Sequence, residues 1–113
     1  METRVLFILT TLPDLATAER LAMLLVESGQ AACVSILHGI TSLYRWEGRV
    51  ERTAEVQLQI KADASRYRQI EETLCAQHPY EVPEIVAIPL ARRLPAYLRW
   101  VSDESADRGP SYA

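Results

Sequence analysis

Residues 39–48 read Gly-Ile-Thr-Ser-Leu-Tyr-Arg-Trp-Glu-Gly, and the architecture of the chain depends on this stretch. Its side chains alternate between two faces, and its final Glu-Gly pair supplies a turn in which glycine takes a positive φ without penalty. The return strand, residues 55–61, reads Glu-Val-Gln-Leu-Gln-Ile-Lys and alternates between polar and apolar positions. Gly39 interrupts the incoming apolar strand as a bulge or bend. Residues 31–60 are therefore predicted to form one long hairpin with a buried face.

The segments on either side of the hairpin predict two more strands and two helices. Residues 5–9 are a continuous apolar run, which fits a central strand. Residues 14–29 have helical spacing between an N-cap aspartate and a closing glycine. After the hairpin, Asp63 or Ser65 caps a second helix, and residues 82–90 are predicted to form the fourth strand.

The predicted order is β-α-β-β-α-β, followed by a short helix that Pro95 begins. Right-handed crossovers place both long helices on one face of a four-stranded antiparallel sheet. The fold class is α+β, a ferredoxin-like βαββαβ sandwich with a long hairpin between its second and third strands and a short C-terminal helix. Residues 1–102 are predicted to form one domain. Residues 103–113, rich in Ser, Asp, Gly and Pro, predict a polar, flexible tail.

The hairpin is too long for a domain of this size. Arms of about 15 residues span about 50 Å, whereas a compact domain of about 100 residues is only about 35 Å across. The far half of the hairpin, residues 40–50, must therefore project beyond the helices, with Leu43, Tyr44 and Trp46 on open strand edges. Pairing with copies of the chain would cover these side chains, so we expect an oligomer. A strand that curls back over its own sheet is the alternative.

The composition argues against several classes of protein. The chain has 113 residues, a net charge of −3 and no cluster of Lys or Arg, which argues against a nucleic-acid partner. No apolar run approaches the roughly 18 residues of a membrane span, and the first residues lack the features of a secretory signal. Cys33 and Cys75 do not form a CxxC pair and predict reduced thiols in a cytoplasmic protein. There is no nucleophile elbow and no glycine-rich phosphate loop, so we predict no catalytic residues.

Residues 78–84 read His-Pro-Tyr-Glu-Val-Pro-Glu and form a stiff polar connection, because each proline fixes φ. His78 with Glu81 or Glu84 offers one nitrogen and one or two oxygens, a donor set that suits copper(II) but is incomplete. The simpler interpretation is that His78 bonds a carboxylate or caps the second helix. A small enzyme that uses His78 and Glu84 is the least favoured alternative.

A second set of side chains is predicted to line a cleft. Glu55 and Lys61 are six residues apart on the polar face of one strand, so both point the same way. If an oligomer closes over that face, they would line a polar cleft; a solvated face with ion pairs is the alternative. The candidate cleft-lining residues are Tyr44, Trp46, Glu55, Lys61, Tyr80, Glu81 and Glu84.

Several motifs follow one another along the chain in a distinctive order. They are Ala31-Ala32-Cys33-Val34, the stretch 39–48, Glu55-Val56, Lys61, the stretch 78–84 and Pro95-Ala96-Tyr97-Leu98. Together they resemble the CutA family of divalent-cation tolerance proteins. The resemblance implies a cytoplasmic homotrimer of ferredoxin-like subunits whose long hairpins build intersubunit sheets. It also implies a non-enzymatic role in the response to copper and other divalent metal ions, and an architecture similar to that of PII signalling trimers.

The resemblance also bears on metal binding. Family members proposed to bind copper use a cysteine at the end of the first strand and two adjacent histidines before the Pro-Tyr pair. Here Thr10 and Gln77 occupy two of these positions, which leaves His78. Threonine and glutamine are poor replacements for thiolate and imidazole, so we expect no required cofactor and at most weak copper(II) binding at His78. The alternative function is a PII-like sensor or adaptor trimer that binds a metabolite in intersubunit clefts, and no protein partner can be named.

Overall fold

A computed structural model describes residues 4–105, and its helices and strands follow the predicted order. The four strands form one antiparallel sheet in the order β2-β3-β1-β4, so the predicted α+β ferredoxin-like fold is confirmed. Within this range, no helix combines the length and apolar character that crossing a bilayer requires. The elements are β1 (Val5–Leu12), α1 (Leu15–Glu27), β2 (Cys33–Trp46), β3 (Arg49–Asp63), a 3₁₀ turn (Ala64–Arg66), α2 (Tyr67–Gln77), β4 (Val86–Pro89) and α3 (Pro95–Ser105).

The core lies between one face of the sheet and the helices α1 and α2. Alternate residues of β1 and β3 turn toward the helices, because successive side chains of a strand point to opposite faces. Each large aliphatic side chain buried in this way stabilises the fold by about 1.5–3 kcal/mol relative to exposure. The fully buried members of this core include Ile8, Leu12, Leu21, Leu25, Leu58, Ile60, Ile70 and Leu74.

The hairpin has the predicted length, with 14 residues in β2 and 15 in β3. Glu47 and Gly48 have φ values of 51° and 79°, as a tight two-residue hairpin turn requires. Gly39 has a φ of 75° and lies at a register shift in the β2–β3 ladder, which confirms the predicted bulge. The far half, residues 40–50, contains no buried residue, and the long axis of the molecule is 47 Å. The hairpin therefore projects and does not curl back over its own sheet.

The predicted helix boundaries rest on local hydrogen bonds. The Asp14 side chain accepts from the backbone N–H of Thr17 at 2.8 Å and caps α1, which is followed by Gly29 with a φ of 78°. Before α2, the Asp63 side chain accepts from the Ser65 N–H at 3.0 Å. Asp63 is therefore the cap, but it precedes the 3₁₀ turn rather than α2 itself.

Two boundaries differ from the sequence prediction. The fourth strand is only Val86–Pro89, shorter than residues 82–90, because Pro83 has no N–H to donate to the neighbouring strand. The final helix does not end before residue 103 but continues to Ser105. The buried Ser105 hydroxyl accepts from the Asp63 N–H at 2.8 Å, which holds this end of α3 on the sheet. The rest of the predicted tail, residues 106–113, lies outside the described residues.

Candidate functional site

A cavity of about 470 Å³ opens where the connection between α2 and β4 crosses the hairpin. Six of the seven candidate cleft-lining residues border this cavity, although they come from separate segments of the chain. Three of the six are glutamates and three are aromatic residues. The residues that line the cavity are Thr11, Tyr44, Trp46, Glu55, Pro79, Tyr80, Glu81, Val82 and Glu84.

Lys61 is the candidate that does not line the cavity. It shares the polar face of β3 with Glu55, but six residues of strand separate the two by about 20 Å. Its ammonium donates to the Ser35 hydroxyl at 2.7 Å and lies 5.8 Å from the centre of the Phe7 ring. Lys61 therefore belongs to a separate cluster on the open face of the sheet.

Tyr80 and Glu55 join the two walls of the cavity. The Tyr80 hydroxyl donates to a Glu55 carboxylate oxygen at 2.6 Å, and Glu55 is only 8% exposed. Burial, the hydrogen bond to Glu55 and the negative charge of Glu55 all raise the pKa of Tyr80. The phenol is therefore protonated throughout the physiological range and acts as a fixed donor to the carboxylate.

His78 directly precedes the cavity-lining residues Pro79 and Tyr80, and both of its ring nitrogens are engaged. Nδ1 accepts from the backbone N–H of Tyr80 at 3.2 Å, and Nε2 lies 3.1 Å from the Thr10 hydroxyl. Because Nδ1 accepts, the neutral ring carries its proton on Nε2 and donates to Thr10. Burial lowers the pKa of His78, against the smaller raising effects of a backbone hydrogen bond with Thr11 and the charge of Glu55. His78 is therefore a neutral residue that fixes the start of the 78–84 connection on β1.

The three positions to which the resemblance assigns copper ligands do not fit a tight copper(II) site. The Thr10 hydroxyl is buried against His78, and both nitrogens of that imidazole are engaged. The Gln77 side-chain oxygen accepts from the Arg20 guanidinium at 3.0 Å, which places a positive charge at the third position. Across residues 4–105, no three His, Cys, Asp or Glu side chains are placed to hold one metal ion.

Sequence reasoning missed the contacts that assemble the site. Thr11 also lines the cavity, and it pairs with Gln57 in the ladder between β1 and β3. The only sequence feature that could have indicated a role for Thr11 in the cavity was its position at the end of a central strand. The contacts from Tyr80 to Glu55 and from His78 to Thr10 had no sequence signal, because they join distant segments.

Comparisons with known proteins point to one family. A family model described as CutA1 divalent ion tolerance protein matches residues 6–104. The divalent-cation tolerance protein CutA of Pectobacterium atrosepticum is 45% identical over 95 residues, which cover 84% of this chain and 86% of that protein. The crystal structure of CutA1 from Shewanella sp. SIB1 has a TM-score of 0.90 at 39% identity, and the match covers 95% of this chain and 100% of that one. The periplasmic divalent cation tolerance protein CutA of Archaeoglobus fulgidus has a TM-score of 0.86 at 36% identity, and the match covers 89% of this chain and 98% of that one.

Proposed function

Because the chain belongs to the CutA1 divalent ion tolerance family, we propose that it is a non-enzymatic homotrimer that takes part in tolerance of divalent cations. The family match over residues 6–104 is the observation that carries this proposal, and it agrees with the motifs in the sequence. The relatives are named for divalent-cation tolerance. The comparisons therefore do not favour the alternative of a PII-like sensor.

The far half of the hairpin supports assembly from copies of the chain. Leu43 and Val50 are each 67% exposed, and Trp46 is 41% exposed. In addition, β2 and β4 are edge strands with unpaired backbone groups on their outer sides. Pairing of hairpins between copies would cover the apolar side chains and the open edge together. Any closed ring leaves no subunit unpartnered, and the threefold ring in this proposal is the one that the resemblance to the family implies.

Copper(II) binding, in this proposal, is weak and not required. A copper ion at His78 must displace either the Tyr80 N–H from Nδ1 or the proton that Nε2 donates to Thr10. Each displacement gives up a part-buried hydrogen bond, at a cost of about 1 kcal/mol or more. In addition, no three His, Cys, Asp or Glu side chains among residues 4–105 are placed to hold one metal ion. Calorimetric titration with copper(II) should therefore give no tight stoichiometric site, and His78→Ala should change the isotherm little. Nanomolar binding that His78→Ala abolishes would contradict this proposal.

The polar residues of the 78–84 connection support a non-catalytic role. His78 has no free lone pair to act as a base, and the raised pKa of Tyr80 keeps its phenol protonated. Glu81 and Glu84 are exposed, so water surrounds their carboxylates. None of these groups has the environment of an activated acid or base.

We place the protein in the cytoplasm as part of the same proposal. Cys33 and Cys75 are free thiols, as expected in a reducing compartment. The Archaeoglobus fulgidus relative is described as periplasmic, so the location needs its own test. Cell fractionation with antibody detection should find the protein with cytoplasmic markers, and recovery with periplasmic markers would contradict this part.

Growth on copper tests the role in tolerance. A host strain that lacks the gene should grow less well than wild type at raised copper(II), and a plasmid copy should restore growth. A copy carrying His78→Ala should restore growth equally, because the proposal assigns the role to the assembled protein and not to a tight site at His78. Equal copper tolerance with and without the gene would contradict the proposed function.

A further inference from the structure

The cavity walls combine negative charge with aromatic surface. Glu55, Glu81 and Glu84 line it, and no Lys, Arg or His is among its lining residues in the described part of the chain. The rings of Tyr44 and Trp46 form part of the same walls. Aromatic faces attract cations through the ring quadrupole, and carboxylates attract them through charge. The composition of the cavity therefore favours a positively charged occupant.

Glu55 provides the anchor for such an occupant. Its side chain is more than nine-tenths buried, at 8% exposure, and only one of its oxygens accepts the Tyr80 hydrogen bond. Glu55 is itself one of the residues that line the cavity. The Tyr80 hydroxyl compensates this carboxylate in part, and among residues 4–105 no buried side-chain oxygen is left without a hydrogen-bond partner. A cation in the cavity would contact a carboxylate whose charge no Lys, Arg or His among the described lining residues neutralises.

The geometry favours an organic cation over a metal ion. Across residues 4–105, no three acidic, His or Cys side chains are placed to coordinate one ion, so the cavity glutamates do not converge on a single point. The volume of about 470 Å³ lies within the range of sites for small organic molecules, roughly 300–1,000 Å³. An ammonium group carried on an apolar skeleton can contact both the aromatic rings and the separated carboxylates.

We propose that this cavity is a binding site for a small organic ammonium ion, with Glu55 as the charged anchor and Tyr44 and Trp46 as aromatic walls. The site is separate from the role in divalent-cation tolerance and does not depend on it. Its ligand differs from copper(II) in size and in the contacts that hold it.

Calorimetry and tryptophan fluorescence together test the site. The chain contains two tryptophans, Trp46 and Trp100, so Trp100→Phe leaves the cavity residue as the single reporter. The assembled full-length protein is titrated with choline, with 1,4-diaminobutane, and with 3,3-dimethyl-1-butanol, the uncharged isostere of choline. At least one cation should bind saturably and change Trp46 fluorescence, whereas the alcohol should do neither. Absence of binding by both cations, an equal response to the alcohol, or binding that leaves Trp46 unchanged would overturn the proposal.

Charge-removing variants locate the anchor. Glu55→Gln keeps an acceptor for Tyr80 and should raise the Kd for the bound cation about tenfold or more, because it removes the buried charge. Glu84→Gln, at an exposed rim position, should raise it about threefold. Glu72→Gln removes the same charge from an exposed site on α2 and should leave the Kd unchanged.

The binding test can still be carried out if one of these variants does not fold. Should Glu55→Gln unfold, Glu84→Gln and Glu81→Gln carry the comparison, since both residues line the cavity and are exposed. Equal weakening by Glu72→Gln and Glu84→Gln would mean that net charge alone attracts the cation, and it would overturn the assignment to this cavity. Copper tolerance of the host is not part of either readout, so failure here leaves the role in tolerance untouched.

Discussion

The two ends of the molecule differ in how far their apolar side chains are buried. At one end, β1 and the inner half of β3 lie under α1 and α2, and alternate side chains such as Leu58 and Ile60 are fully buried. At the other end, residues 40–50 form equally regular strands but bury nothing, and Leu43 is 67% exposed. Both halves have sound backbone pairing. The first half is stabilised by its own chain, whereas the second presents surface that a neighbouring copy would cover.

The cavity lies where these two halves meet. The hairpin contributes Tyr44 and Trp46, and the connection after α2 contributes Tyr80 from the packed half. The hydrogen bond from Tyr80 to Glu55 holds the connection after α2 on β3, at the position that pairs with Ile40 at the start of the projecting half. A substitution in the packed half and a substitution in the hairpin should therefore have different effects. Pairs of variants, one in each half, can measure this difference.

The largest expected effect comes from truncating a side chain in the packed half. Leu58→Ala removes a fully buried residue and should lower the free energy of unfolding by about 2–5 kcal/mol, since it leaves a cavity in the core. Leu43→Ala removes the same atoms from the hairpin tip and should not change the packing within the subunit. Urea unfolding at two protein concentrations distinguishes the two variants. The decrease in the free energy of unfolding caused by Leu58→Ala should be independent of protein concentration, whereas the decrease caused by Leu43→Ala should become smaller as the concentration rises. Similar, concentration-independent losses in both variants would contradict the division into two halves.

A charge on the hairpin should have the next largest effect. Leu43→Glu places a carboxylate where the proposed subunit contact needs an apolar surface, and each site would lose about 1.5–3 kcal/mol of burial. Light scattering at micromolar concentration should give the mass of a trimer for the wild type and a smaller mass for this variant. Met23→Glu is the matched control, because Met23 is also an exposed apolar residue, at 58%, but lies on α1. A wild-type monomer, or a trimer that tolerates Leu43→Glu, would refute assembly through the hairpin.

The fold was largely predictable because most of its signals are local. Asp14 caps a helix three residues away, and Gly39 marks its bulge within its own strand. The end of α3 was missed because it depends on a contact between Ser105 and Asp63, 42 residues apart. Ser, Asp and Glu residues at that point of the sequence indicate the end of a helix. The helix continues to Ser105 because the folded sheet brings the Asp63 N–H, which donates to the Ser105 hydroxyl, next to it.

The candidate site was predictable in its residue types but not in its contacts. Charged and aromatic residues at the turn and on the hairpin could be selected from the sequence, and six of seven border one cavity. The bond from Tyr80 to Glu55 spans 25 residues, and that from His78 to Thr10 spans 68. Such pairs depend on which strands become neighbours. The alternation of faces along β3 correctly predicted that Lys61 and Glu55 lie on the same face of the strand. It did not predict that the distance between them would place Lys61 outside the cavity.

A glycine at the hairpin turn should have a smaller effect. Gly48 has a φ of +79°, and a methyl group added to it would meet nothing within 4 Å, so Gly48→Ala changes only the backbone energy. The expected decrease in the free energy of unfolding is about 1–2 kcal/mol. Gly29→Ala, at φ +78° and with equally open space beside α1, should lose a similar amount. Thermal unfolding of both variants checks this, and a neutral Gly48→Ala would mean that the turn relaxes without strain and that the hairpin tip is less fixed than the packed half.

The smallest expected effect is the pH dependence that His78 contributes. The lowered pKa of His78, caused chiefly by burial, means that the unfolded chain binds this proton more readily than the folded chain near and below the ordinary value of 6.5. The contribution to stability is therefore complete above pH 6.5 and is lost as the pH falls toward the folded-state pKa. Unfolding midpoints at about pH 7.5 and about pH 5.5, on either side of that value, should differ more for the wild type than for His78→Gln. His38→Gln, at an exposed position on the hairpin, should keep the wild-type difference. If His38→Gln removes the pH dependence and His78→Gln does not, the titrating histidine belongs to the hairpin, and the hydrogen bonds of His78 to Thr10 and Tyr80 do not control its proton.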